Sequence, residues 1–224
     1  MKRPCPVIFD LDGTLIDSAP DIHAAANAIL AERGLAPLSL VQVRSFVGKG
    51  VPHLVQCLLE ASHKDPHGPM HGEMMRAFAA RYEKAVHLTT LYPGVREALS
   101  ALAAKGHPLG ICTNKPIAPT RAVLAHFGLL DSFGAILGGD SLPMRKPDPA
   151  PLIKCLWDLG DGGAVYVGDS EVDAETARAA RLPFALFTEG YRRTPVKDLP
   201  HDAAFSDFAA LVEVVESLAT CSVR

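Results

Sequence analysis

The stretch Val7-Ile8-Phe9-Asp10-Leu11-Asp12-Gly13-Thr14-Leu15 constrains this chain more than any other. A short apolar run bounded by a breaker reads as a buried strand rather than a helix. Strand alternation then sets Asp10 and Asp12 on one side, at the point where the chain leaves the sheet. Two carboxylates held that close repel unless a cation or a proton sits between them. Taken alone, Asp12-Gly13 also fits an Asx turn that ends a strand, with Asp10 capping a nearby group.

The text after Asp17-Ser18 changes character. Pro20 suits a first helical turn, and the alanine-rich run Ile22 to Arg33 is stopped by Gly34, which predicts a helix. Further helices are expected at Leu38 to Val47, Val51 to Ala61 and Pro69 to Val86, with no strand-like run between them. From Leu91 onward strands and helices alternate: strands at Leu109 to Thr113, Ala135 to Leu137, Ala164 to Val167 and Phe184 to Phe187. Helices are expected on the face of Val95, Leu99 and Leu102 and over Ala118 to Phe127, Pro149 to Leu159, Asp173 to Arg181 and Phe208 to Leu218. The predicted fold is α/β, a Rossmann-like parallel sheet with helices on both faces and an inserted all-α block. The expected division is a core of residues 1–17 and 89–224 with a helical block of 18–88.

A chain of 224 residues, 48 % of them hydrophobic, can bury the core that such a sheet needs. The formal charge of −3, without a basic block, argues against nucleic acid or a membrane surface as partner. No apolar run approaches a membrane span, and the one behind Met1-Lys2-Arg3-Pro4 is too short for a signal peptide. Cysteines at 5, 57, 112, 155 and 221 are odd in number, widely spaced and free of C-x-x-C pairs, which suits reduced thiols in the cytoplasm.

In open parallel sheets ligands bind at the carboxyl ends of strands. Asp10, Thr113-Asn114 and Gly168-Asp169 each stand at such an end. Singly, Thr113 reads as a strand-end hydrogen-bonder, Lys146 as a surface charge, Asp169-Ser170 as a turn and Asp173 as a charge answering a helix dipole. Taken in order, Asp10-x-Asp12-Gly13-Thr14, Thr113-Asn114-Lys115, Arg145-Lys146-Pro147-Asp148-Pro149 and Gly168-Asp169-Ser170-Glu171-Val172-Asp173 resemble the four motifs of the haloacid dehalogenase superfamily.

That resemblance implies a Mg²⁺-dependent phosphomonoester hydrolase working through an aspartyl-phosphate on Asp10, with Asp12 as acid and base. It further implies Thr113 and Asn114 on the phosphoryl oxygens and Lys146 as a point charge. The ion would sit on Asp10, the Asp12 carbonyl and Asp169, supported by Ser170 and Asp173. Thr14, a candidate substrate-binding residue, is expected with Leu15 in a mobile segment leading to a helical cap, whose joints fall near Asp17-Ser18-Ala19 and Leu88-Thr89-Thr90.

Val47-Gly48-Lys49-Gly50-Val51, with Arg44 upstream, resembles the cap loop of phosphoglycolate phosphatases, and Gly48, Lys49 and Arg44 are candidates to meet a substrate carboxylate. An ordinary helix–helix turn with two surface cations fits the same residues. The implied partner is a small phosphorylated metabolite such as 2-phosphoglycolate, the chain acting as a monomer or homodimer. A sugar-phosphate mutase shares the core motifs, and a non-catalytic regulator binding a phosphorylated metabolite is the alternative of another class. Trp157, with Leu156 and Leu159, reads as core packing, and Arg181 stands where relatives often carry glycine.

Overall fold

The computed structural model describes residues 4–160 and 162–221. Met1-Lys2-Arg3, at the basic start of the chain, lies outside the described residues, as does the Cys221 side chain. β1 (Val7–Phe9) and β2 (Ile16–Asp17) are followed by four helices, α1 (Ala19–Ala31), α2 (Leu40–Arg44), α3 (Val51–Ala61) and α4 (Pro69–Tyr82). β3 (Thr90–Leu91) opens the alternating half, which runs α5 (Val95–Ala104), β4 (Leu109–Cys112), α6 (Ile117–His126), β5 (Ala135–Leu137) and α7 (Ala150–Asp158). It continues with β6 (Val165–Gly168), α8 (Glu171–Ala180), β7 (Phe184–Phe187), β8 (Ala203–Phe205) and α9 (Leu211–Cys221).

Six strands form one sheet in the order β5-β4-β1-β6-β7-β8, and every pair is parallel. The apolar runs read as doubly buried strands because alternate residues enter two different cores. Val7 and Phe9, Leu109 and Ile111, Val165 and Val167, and Ala185 and Phe187 join one cluster with Val95, Leu99, Val123, Leu211 and Val215 of the helices. Ile8, Cys112, Tyr166, Phe184 and Leu186 join the opposite cluster with Leu152, Cys155, Ala174 and Ala177. Each large aliphatic or aromatic side chain buried this way contributes roughly 1.5–3 kcal/mol, so both faces carry the fold.

The helical block has a third core of its own, drawn entirely from residues 22–82 and centred on Ile29, Leu30, Leu58, Met74 and Phe78. Its two joints meet in an antiparallel ribbon, Ile16 opposite Leu91 and Asp17 opposite Thr90. Asp21, in the first turn of α1, accepts hydrogen bonds from Leu88 N, Thr89 N and Thr89 Oγ1 at 3.0, 2.7 and 2.6 Å. Tyr191 Oη accepts from Ser18 N at 2.8 Å and Ala19 N at 3.0 Å and donates to Asp17 Oδ1 at 2.7 Å. Both ends of the inserted block are therefore tied to each other and to the loop after β7.

The structure differs from the sequence expectation in several places. β2, β3 and β8 carry no strand pattern, since two- and three-residue strands exist only through their partners. α2 stops at Arg44 rather than Val47, and α4 at Tyr82 rather than Val86. Trp157 is 64 % exposed, because α7 turns Leu152, Cys155 and Leu156 to the sheet and leaves Trp157 on the solvent side. Thr14 and Leu15 are fully buried, so the segment expected to be mobile is part of the core. Cys5, Cys57, Cys112 and Cys155 are unpaired thiols, and no described helix is long and apolar enough to cross a membrane.

Candidate active site

β1 is the point at which the strand order reverses: the chain builds outward through β4 and β5, then crosses to the other side for β6, β7 and β8. The crevice outside the carboxyl ends of β4, β1 and β6 is where an open parallel sheet binds ligands. Asp10, Thr113 and Asp169 are the residues that directly follow those three strands. The topology thus collects residues more than 150 positions apart at one spot.

Asp169 is held from three sides. Its Oδ1 accepts from Thr14 Oγ1 at 2.8 Å and its Oδ2 from Tyr191 N at 2.6 Å. Gly13, at φ +87°, and Gly190 press their backbones against it; a Cβ at either would lie 2.6 or 2.3 Å from Asp169 Oδ2. Side chains are excluded at both positions because the carboxylate occupies that space.

Asp173 is the most heavily bonded carboxylate. Its Oδ1 accepts from Lys146 Nζ at 2.7 Å and Tyr166 Oη at 2.8 Å. Its Oδ2 accepts from Asp169 N, Ser170 N and Ser170 Oγ at 3.2, 3.1 and 2.6 Å. Ser170 and Asp173 form the capping box that starts α8, so a helix-start signal doubles as the anchor of the site. Burial alone would raise the Asp173 carboxyl, but Lys146 and these donors bring it below the usual range.

Asp10 is treated differently. Lys146 Nζ stands 2.9 Å from Asp10 Oδ1, and no other described group donates to that buried oxygen. Burial, with the nearby Asp173 charge, pushes Asp10 up to about 6 despite Lys146. Asp169 is raised well above the ordinary carboxylate range by burial and by the Asp173 and Asp10 charges. Burial would lower Lys146, but Asp10 and Asp173 hold it above its usual value, so the amine stays charged.

Carboxylate oxygens of Asp10, Asp169 and Asp173 lie within 4.8 Å of one another. Three buried carboxylates face one buried ammonium. The Asp10 oxygen that only Lys146 approaches, the all-oxygen donor set and the excess negative charge fit a hard divalent cation.

Above this floor lies a cleft of about 440 Å³ including its mouth, bounded by Asp10, Asp12, Thr113, Asn114 and Lys115 on the sheet side. Ile22, Phe46, Val51, Leu54 and Phe78 of the helical block bound the other. Asp12 lies past the end of β1, in the turn that bridges back to Ile16, yet it faces the same cleft as Asp10. Its Oδ1 accepts from Ser18 Oγ at 2.6 Å and Lys115 Nζ at 3.1 Å. Thr113 is buried, with its hydroxyl accepting from Lys115 N at 3.3 Å. Asn114 donates through Nδ2 to Gly48 O at 2.9 Å and Lys146 O at 3.0 Å, joining the helical block to the floor.

The other sequence candidates stand elsewhere. Thr14 does not line the cleft, because its hydroxyl is committed to Asp169. Gly48 lines it through its backbone. Arg44, a candidate to meet a substrate carboxylate, donates from Nη2 to Gly190 O at 2.9 Å and lies 4.9 Å from the Tyr191 ring centre, bracing the helical block against the loop after β7. Lys49 faces a separate surface depression beside Ser170 and Arg193. The positive-φ Gly48 and Gly50 flank Lys49 and turn the loop so that its backbone, through Gly48 O, meets Asn114, while Arg44 reaches Gly190 from the end of α2. Tyr82, Tyr166 and Tyr191 carry no motif that marks them in the sequence, and Lys115 stands there only as the third residue of Thr113-Asn114-Lys115.

Comparison with known proteins agrees with this geometry. A profile described as haloacid dehalogenase-like hydrolase matches residues 7–187. Phosphoglycolate phosphatase of Rhodobacter capsulatus is 53 % identical over 94 % of this chain and 96 % of its own length. Phosphoglycolate phosphatase of Rhodospirillum rubrum is 43 % identical over 93 % and 89 %. The crystal structure of a predicted phosphoglycolate phosphatase from Haemophilus somnus superposes with a TM-score of 0.89 at 32 % identity, covering 96 % of this chain and 99 % of the other.

Proposed function

Because the chain belongs to the haloacid dehalogenase-like hydrolases, we propose that it is a phosphatase of small phosphomonoesters, with 2-phosphoglycolate as its preferred substrate. The observation that carries this reading is the state of Asp10: a buried carboxylate oxygen at the cleft floor, 2.9 Å from the Lys146 ammonium and approached by no other donor among the described residues. Such an oxygen is a nucleophile in waiting.

Asp10 attacks phosphorus in line, forming an acyl O–P bond as the ester P–O bond breaks. Asp12 gives its proton to the departing alkoxide oxygen, and the alcohol leaves. Asp12 then takes a proton from the incoming water, whose oxygen bonds phosphorus as the aspartyl-phosphate bond breaks, releasing inorganic phosphate. Lys146 balances the charge on Asp10 and on the phosphoryl oxygens, and Thr113 orients those oxygens. A divalent cation such as Mg²⁺, held by Asp10, the Asp12 carbonyl and Asp169, with Ser170 and Asp173 behind them, would neutralise phosphoryl charge in a site already rich in carboxylates.

In this reading residues 18–88 act as a cap over a core of 1–17 and 89–224, excluding water during the first transfer. Apart from the Tyr82 hydroxyl, the cap face of the cleft offers apolar side chains and glycine, which favours a compact substrate over a sugar phosphate rich in hydroxyls. The unpaired thiols suit a reducing cytoplasm.

The test is phosphate release from 2-phosphoglycolate and from an aryl phosphate, with Mg²⁺ and with chelator. Mg²⁺-dependent turnover of both, abolished in a folded Asp10→Asn protein, is expected. Turnover by Asp10→Ala at the wild-type rate would remove the covalent route, and failure to hydrolyse 2-phosphoglycolate would remove the substrate.

A further inference from the structure

We propose that Lys115 is the residue that grips the substrate's carboxylate, through the one ammonium proton that the protein leaves without an acceptor. This rests on the phosphomonoesterase reading above, in which Asp12 faces the departing oxygen.

Lys115 is the only cationic side chain that lines the cleft among the described residues. Its side chain is 2 % exposed, against 11 % for Asp12. An ammonium carries three N–H donors. One meets Asp12 Oδ1 at 3.1 Å and another the Tyr82 hydroxyl, whose ring centre lies 4.0 Å from Nζ. No described group accepts the third. A buried, unsatisfied charged donor is unfavourable, which makes the empty position a strong site for an anion.

Position decides which anion. Asp12 must come within hydrogen-bond reach of the ester oxygen, and Nζ is one hydrogen bond from Asp12. A carboxylate one methylene beyond the ester oxygen, as in 2-phosphoglycolate, reaches the same neighbourhood, whereas the phosphoryl group occupies the floor at Asp10. The apolar shell of Ile22, Phe46, Leu54 and Phe78 keeps water out and strengthens the pairing. Tyr82 comes from the end of α4, so the carboxylate site is complete only when the helical block lies over the core.

Ethyl phosphate is the matched probe, with a methyl where 2-phosphoglycolate has its carboxylate. The wild-type protein is expected to prefer 2-phosphoglycolate. Lys115→Met should lower the ratio of the two kcat/KM values by roughly 10- to 100-fold, the size of a lost charged hydrogen bond, and chiefly through KM for 2-phosphoglycolate. Equal losses on both substrates would overturn the proposal and leave Lys115 as a residue that positions Asp12. Tyr82→Phe keeps the ring but removes the acceptor that fixes Nζ in place, so the ammonium is no longer held toward the carboxylate; it should lower the same ratio several-fold, and an unchanged ratio in this variant counts against the proposal even if Lys115→Met fails to fold. Wild-type protein that hydrolyses ethyl phosphate but not 2-phosphoglycolate would overturn the substrate reading and this inference together, whereas good 2-phosphoglycolate turnover with unmoved ratios would overturn this inference alone.

Discussion

Lys146 Nζ lies 2.7 Å from Asp173 Oδ1, an amine 2 % exposed against a carboxylate with no exposed surface. The pair joins the loop before α7 to the first turn of α8, and it leaves Asp10 as the second carboxylate beside the same amine. Breaking a buried pair by removing one partner is far costlier than the pair is worth, because the other charge stays behind. Lys146→Met is therefore expected to destabilise the protein by about 3–5 kcal/mol as well as inactivate it. Urea unfolding measures the first effect, and a loss below 1 kcal/mol would mean that the carboxylates find other partners.

The close approach of Gly13 to Asp169 makes a second prediction. Gly13→Ala would bring a Cβ within 2.6 Å of Asp169 Oδ2 from a backbone already at φ +87°. Displacing Asp169 should lower kcat/KM at least ~100-fold, since misplacement by about 1 Å is enough for that loss. Gly34→Ala is the control: φ is +65° there, but nothing lies within 4 Å. It should cost about 1 kcal/mol of backbone strain and leave activity intact.

Chelator-treated protein should lose stability as pH rises from near 4 to 7. Burial raises Asp10 from 3.8 to about 6 and also raises Asp169 well above 3.8, so across this window the folded chain holds protons that the unfolded chain has released. Stability from these two groups is full below their unfolded values and is lost as pH passes their folded ones. Asp173, whose value is lowered, acts in the opposite sense, its contribution present above 3.8 and lost on acidification. Thermal melts at pH 4.5 and 7, with and without Mg²⁺, check this: added Mg²⁺ should recover stability most at pH 7. A chelated protein that becomes more stable from pH 4.5 to 7 would contradict the burial argument.

Arg181 closes α8 in the left-handed region, at φ 57° and ψ 39°. Glycine takes that conformation without steric cost, so Arg181→Gly should stabilise the protein by about 1 kcal/mol, or about 2–4 °C in Tm. A fall in Tm would mean that the arginine side chain outweighs the strain.

Much of the site was legible before any coordinates. Asp10, Asp12, Thr113, Lys146 and Asp169 stand in short strings whose order carries the chemistry, and apolar runs with helical spacing between them give the parallel sheet and the inserted helices. These signals are local: a strand end, a glycine turn and a capping box are each written within a few residues. Legibility failed where the partner of a residue is distant. Arg44 and Lys49 fit a carboxylate ligand by charge and loop composition, but Arg44 leaves the end of α2 toward Gly190 and Lys49, between Gly48 and Gly50, faces a surface depression.

Sequence alone determined that Asp10, Thr113 and Asp169 stand at strand ends, because strand periodicity and turn chemistry act between neighbours along the chain. Tertiary structure alone decided which cation enters the cleft. Lys115 acquires its meaning from Asp12, 103 positions away, and from Tyr82 on another helix, and only the packing of the helical block onto the sheet brings those groups to one ammonium.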